Sequence, residues 1–284
     1  MVIDVPQVSA LCDLIALDVQ PAWPYHLVLT PSCKMAYGAV FRHLFRLRMV
    51  QYLLDSVWRS SRPRVGVSSS TSSSSSSSRR RATKGGEQKR GNKEDDADEG
   101  QERSSPAALL DTLFWVLGQQ MSSLVGNLLL YMQLDVIEVQ YHKLVESVGR
   151  GTSFGEVEHA HQTFLVALLE QSLLNHAPFR SFLRDVYKCC FMLSGFHQRR
   201  LRVRARATGG GRDEDETSTL TDELMGLKEV WEGSLTQLYV VLSGNRFTRE
   251  LELRLSSNGY LWSLYRSRRE GTTRGGPPKR VSPR

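Results

Sequence analysis

The sequence predicts a mostly α-helical bundle with one small two-strand β element. Three observations lead there. Apolar residues recur at helical spacing over five or six stretches, several of them long. Thr30-Pro31 and Ser105-Pro106 stand before two of these stretches as start signals. Two segments and a tail of low apolar content interrupt the pattern, so they divide the bundle without joining its core.

The β element is expected at the beginning of the chain. Leu14 to Val19 and Tyr25 to Leu29 are short apolar runs with β-branched residues, separated by Gln20-Pro21-Ala22-Trp23-Pro24, whose prolines favour a turn. Thr30 then offers a hydroxyl to an orphan helix N–H, and Pro31 suits the first helical position. From there Tyr37, Phe41, Leu44, Leu47, Val50, Leu54 and Trp58 keep helical register to about Ser60. A second long helix follows Ser105-Pro106 through Leu113, Leu117, Leu124, Leu128 and Tyr131 toward Leu144; Gly118 and Gly126 each weaken it by about 1 kcal/mol relative to Ala. Ser153 and Glu156 form a capping-box pair that opens a third helix, ended by Pro178. Further helices are expected from Phe179 to about Phe196 and from Thr219 or Thr221 to Gly244, with a short amphipathic segment from Phe247 to Leu255. The domain therefore spans 1–265, interrupted by disordered insertions at 62–105 and 199–219, and a disordered basic tail occupies 266–284.

The net charge of +7 is not evenly spread. The serine-rich insertion 62–105 carries 10 basic and 7 acidic residues, the 199–219 break 6 and 4, and the tail 7 and 1. The remaining body is mildly acidic, at about −4. Nucleic-acid binding through the basic segments is the alternative reading of the charge, and the acidic body argues against it. Cys12, Cys33, Cys189 and Cys190 show neither CxxC pairing nor disulfide-framework spacing. The N-terminus lacks a basic region ahead of an apolar run, and no apolar run approaches the ~20 residues needed to span a bilayer. A reduced, cytoplasmic protein without membrane contact is expected.

No catalytic constellation is visible, and neither cofactor nor metal is expected. His159 and His161 are two apart and point to different sides of a helix, so His161, on the apolar stripe, reads as a hydrogen-bonded core histidine. Asp135 and Glu138 share a face without an acid partner and read as solvated or ion-paired. Lys188 beside Cys189-Cys190 favours a thiolate, but no histidine base stands at helical spacing, so both thiols read as core. Phosphate-loop, dinucleotide and zinc-protease motifs are absent. Arg42, Arg46 and Arg48 are the candidates for binding: Arg42 and Arg46 stack on one helix face and Arg48 lies partly off it. They suit either a solvated face or a docking patch for an acidic protein.

Several segments carry a family resemblance. Ala22 to Pro31 (AWPYHLVLTP) and Tyr37 to Gln51 (YGAVFRHLFRLRMVQ) resemble the entry and first long helix of the C-terminal domain of γ-tubulin complex components. Met121 to Leu128, Tyr131 to Glu138 and Ala160 to Leu165 are similar to later motifs of that family, in the same order. The resemblance implies a helical domain that holds one γ-tubulin, in a microtubule-nucleating complex at microtubule organising centres and spindle poles. It places Trp23, Pro24, Phe41, Leu47, Tyr131, Asp135, His161 and Leu165 in family motifs of mainly structural character. It also implies a scaffold rather than an enzyme. The family's N-terminal half, which makes lateral contacts to other complex components, has no counterpart in these residues, so γ-tubulin is the partner expected here.

Overall fold

The computed structural model describes residues 14–61, 106–206, 213–243, 248–256 and 259–273. After an irregular segment and a 3-10 turn at Tyr25–Leu27, α1 runs over Pro31–Ser61. Next, α2 (Pro106–Leu130) leads without a break through a π-helical stretch, Tyr131–Glu138, into α3 (Val139–Arg150). There follow α4 (Phe154–Gln171), α5 (Ala177–Arg206), α6 (Asp213–Ser243), α7 (Arg249–Ser256) and α8 (Tyr260–Thr273).

Four long helices make the body. α1 packs on α2, α2 on α6, α6 on α5 and α5 on α1, which closes the ring of a four-helix bundle. Their shared interior contains Leu47, Phe114, Met121, Leu128, Phe182, Leu193, Leu224 and Trp231, each 1% exposed or less. Burying one such side chain contributes about 1.5–3 kcal/mol, so this interior dominates the stability of the domain. Polar groups inside it are satisfied in series: the Trp231 indole donates to Gln120, whose amide donates to the Tyr260 hydroxyl of α8. Trp58 and Trp115 meet edge to face, with ring centroids 4.7 Å apart, and tie the end of α1 to the start of α2. α3 and α4 form an antiparallel hairpin against this body, and α7 and α8 close it from the other end of the chain.

The helix starts expected at Thr30-Pro31 and Ser105-Pro106 are present at Pro31 and Pro106. At Ser153 the cap is also present: its hydroxyl accepts from the Glu156 N–H. The Glu156 carboxylate, however, accepts from Thr152 N–H at 2.7 Å, one residue before the position a standard box uses. That bond holds the Glu156 carboxyl below its ordinary pKa.

Four expectations are corrected. No strand occurs among the described residues; Ile15 to Ala22 has no regular structure, and Tyr25-His26-Leu27 is a 3-10 turn. Apolar runs of this kind need a partner strand to pair with, and Leu14, Leu17, Trp23 and Tyr25 instead stand exposed. The break placed at 199–219 is narrower, because α5 continues to Arg206 and α6 begins at Asp213. Charges that looked unmatched along the chain are matched across it: Arg199 pairs with Glu223 and Arg200 with Asp111. Similarly, the tail expected from residue 266 is helical as far as Thr273. Finally, Pro178 does not end α4, which stops at Gln171; it lies in the first turn of α5, where its missing N–H costs nothing. The insertion 62–105 and the residues after 273 fall outside the described residues.

The continuous helix Ala108–Arg150 is long and apolar enough, by length and composition, to cross a membrane. The expectation that no stretch qualifies is thus corrected. Phe114, Leu117, Met121, Leu124 and Leu128 along it are buried by the neighbouring helices, the environment of a bundle-core helix.

Candidate functional site

A trough of about 1550 Å³ opens on the outside of the bundle among the described residues. α5 lies along it between α1 and α6, both of which pack against α5. It exists because of small and flexible residues at its lining positions. Gly195 on α5 and Gly226 on α6 have nothing within 4 Å of where a Cβ would stand, so the wall is hollow there. Met49, Met192, Phe191 and Val230 add apolar surface that a partner can repack against.

Cations concentrate on this trough. α1 supplies Arg42 and Arg46, one turn apart on the face turned to α5. α5 supplies Arg180, Arg184 and Lys188, spaced four and four, so they form a single row along the helix. Arg180 donates to the Leu174 carbonyl at the α4–α5 turn. Arg42, Arg184 and Lys188 form no ion pair with any described residue. At the far end Arg199 is neutralised by Glu223 at 2.7 Å. Beneath the cations lies His43, 4% exposed, and burial pushes its imidazole down to about 4, so it stays neutral.

Of the three arginines singled out from the sequence, the fold brings two together here. Arg48 is elsewhere: it is exposed, and its guanidinium donates to Gln51 and, across to the π-helical stretch, to Gln133. The row Arg180, Arg184 and Lys188 was missed. Its signal was present as a basic i, i+4, i+8 pattern in the helical stretch expected from Phe179 to Phe196.

Most of the other singled-out residues hold the bundle together. Leu47 and Leu165 are core, and Phe41 stacks on Phe45. Tyr131 is buried and donates its hydroxyl to the Gln171 carbonyl; burial, with Glu250 and Asp135 nearby, raises its pKa. Asp135 is forked to Arg254 of α7 at 2.6 and 2.9 Å. His161 is the core histidine expected, with Nε2 2.9 Å from the Tyr37 hydroxyl and its pKa lowered by burial. Trp23 differs, being 80% exposed, with Pro24 beside it also exposed. Cys189 and Cys190 are fully buried. Burial, with Asp185 adding to it, raises Cys189 to about 11 against the opposing effect of Lys188, and burial raises Cys190 further. Among the described residues no three His, Cys, Asp or Glu side chains cluster as metal ligands.

A helical bundle in this motif order, with Tyr131, Asp135, His161 and Leu165 at its internal joints, points to one class of protein. A profile of the γ-tubulin complex component C-terminal domain matches residues 2–261, and the chain belongs to that family. Within it, the relatives found include component 4 from several species and component 2. The chain is 24% identical over 262 residues to γ-tubulin complex component 4 homolog of Medicago truncatula, covering 88% of this chain and 30% of that protein. It is 25% identical over 256 residues to γ-tubulin complex component 4 of Arabidopsis thaliana, covering 87% and 29%. Against the Homo sapiens component 4 the figures are 25% over 176 residues, 62% and 21%. The motif wording likewise resembles component 4. The chain spans less than a third of the length of these relatives.

Proposed function

We propose that this domain is a non-catalytic scaffold that holds one γ-tubulin within a microtubule-nucleating γ-tubulin complex, at microtubule organising centres and spindle poles. The observation that carries the reading is the trough, where Arg42 and Arg46 face Arg184 and Lys188 over an apolar lining. Three of these, Arg42, Arg184 and Lys188, form no ion pair with a described residue, and such cations on helices suit an acidic protein surface and raise its rate of encounter. Holding γ-tubulin in place then acts by position. An ordered array of such subunits removes part of the translational and rotational entropy cost of bringing tubulins side by side. Lateral assembly with other complex components is assigned to parts of the family outside this domain. Arg48 is left out of the docking face because it is engaged with Gln133.

The test is capture of γ-tubulin by the purified chain at moderate salt, with Arg42→Glu/Arg46→Glu beside it. Saturable capture by the wild type and a loss of at least tenfold in the double variant are expected. Equal capture by both would remove the trough from the reading, and no capture by the folded wild type would remove the reading itself.

A further inference from the structure

We infer that the trough between α1, α5 and α6 is a helix-binding groove, and that its occupant is an amphipathic helix of the partner with an acidic flank turned toward α1. This rests on, and sharpens, the γ-tubulin reading above.

Size comes first. Small-molecule clefts run to about 300–1,000 Å³, and this one is about 1550 Å³. Its lining on α5 extends from Arg180 to Arg199. At 1.5 Å per residue that is about 28 Å, the length of a helix of about 19 residues. A helix laid along α5 would complete a layer with α1 and α6 on either side, the geometry by which an amphipathic helix fills a groove.

The two walls differ, and the difference sets the occupant's chemistry. The α1 side carries Arg42 and Arg46, with Arg184 and Lys188 along α5. The α6 side offers Gly226, Leu227 and Val230, and its one carboxylate in the lining, Glu223, is already paired with Arg199. An occupant therefore needs Asp or Glu along one flank and small or apolar residues along the other. The domain also tolerates an internal cost here. Arg180 and Arg184, and Arg184 and Lys188, are like-charge pairs at i, i+4, each destabilising by about 0.2–0.5 kcal/mol. An anionic flank on a bound helix relieves both. The hollow at Gly195 and Gly226 is where its backbone comes closest, since any side chain there would stand in the groove.

The experiment uses the full chain, wild type and two kinds of variant. Gly195→Leu/Gly226→Leu plugs the hollow with residues that favour helix over glycine, so the melting temperature is expected to hold or rise. Arg184→Glu/Lys188→Glu reverses the row without touching the core. The probes are γ-tubulin and two synthetic 19-residue helical peptides, one with a leucine face and a glutamate flank, the other with lysine in place of glutamate.

Three results are expected. The glutamate peptide binds the wild type at least tenfold more tightly than the lysine peptide and competes with γ-tubulin. The plugged variant loses at least tenfold for both γ-tubulin and the glutamate peptide. The reversed variant prefers the lysine peptide. If the plugged and reversed variants capture γ-tubulin as well as the wild type does, the groove inference is overturned while the scaffold reading stands. If the wild type captures no γ-tubulin, the scaffold reading falls, and peptide anisotropy alone decides the groove. Peptide binding that is indifferent to the plug, or matched by a single-stranded RNA of equal charge, overturns it.

Discussion

Two sets of cations in this domain behave in opposite ways. Arg200 and Arg254 are built into the fold. Arg200 is 4% exposed, lies 2.7 Å from Asp111 and sits over the Phe114 ring at 4.5 Å, joining α5 to α2. Arg254 forks onto Asp135 and joins α7 to the π-helical stretch. Arg42, Arg184 and Lys188 also stand on long helices, yet they form no ion pair with a described residue. A charge that serves stability carries its counterion within the chain, because a buried ion without one is expensive. On the function proposed above, a charge that leaves its counterion to be supplied from outside, in a hollow lined by flexible apolar side chains, is half of an interface.

The sharpest way to break this contrast is to remove one member of the first set. Arg200→Met is expected to cost about 3 kcal/mol, because Asp111 is left partly buried without its partner. That corresponds to a fall of roughly 6–12 °C in melting temperature. A loss below about 1 °C would mean that Arg200 is no more structural than the groove cations.

His43 tests the boundary between the sets, as a potential cation directly under the groove that the core keeps neutral. The unfolded chain binds its proton near pH 6.5, while the folded chain does so only near pH 4. The unfolded state thus holds more protons in that window. Stability that is whole above pH 6.5 drains away as pH falls toward 4, by at most about 1.4 kcal/mol for each pH unit. Urea unfolding from pH 7 to 4 is expected to show this slope, and His43→Leu to flatten it. An unchanged slope in the variant would assign the effect to other groups.

The smallest expected effect is also the most discriminating. Arg184→Gln removes two like-charge pairs, with Arg180 and with Lys188, and is expected to raise stability by about 0.4–1 kcal/mol at low salt. The gain should shrink as salt screens the pairs. A loss of stability would show that Arg184 has a structural partner after all.

What could be read from the sequence follows from how local each signal is. Helix starts at Pro31, Pro106 and Ser153 depend on a few adjacent residues, and all three are where the caps placed them. The expected strands depended on pairing with each other across the Gln20 to Pro24 turn, which the apolar character of runs such as Leu14 to Val19 does not by itself encode. The helical continuation through Arg199 and Arg200 was hidden because their counterions, Glu223 and Asp111, lie on other helices. The candidate site divided in the same way. The spacing of Arg42 and Arg46 gave a shared face from sequence, while the alignment of that face with Arg184 and Lys188 required the packing of α1 on α5. Arg48, two residues beyond Arg46, is about 200° further round the helix and meets Gln133 instead.

The π-helical stretch at Tyr131–Glu138 carries a consequence for how this domain tolerates insertion and deletion. Its ladder runs i to i+5, so it accommodates extra chain relative to an α-helix without ending the rod. Removing one residue there would let the α ladder close with the surplus gone, so the helix after it would keep nearly the same phase. Gln140 would still point inward to Gln171 while Tyr141 and Val145 stand outside. The stretch thus acts as slack in the rod: a single-codon deletion within it is absorbed, whereas the same deletion in the α ladder of α3 would turn all that follows by about 100°.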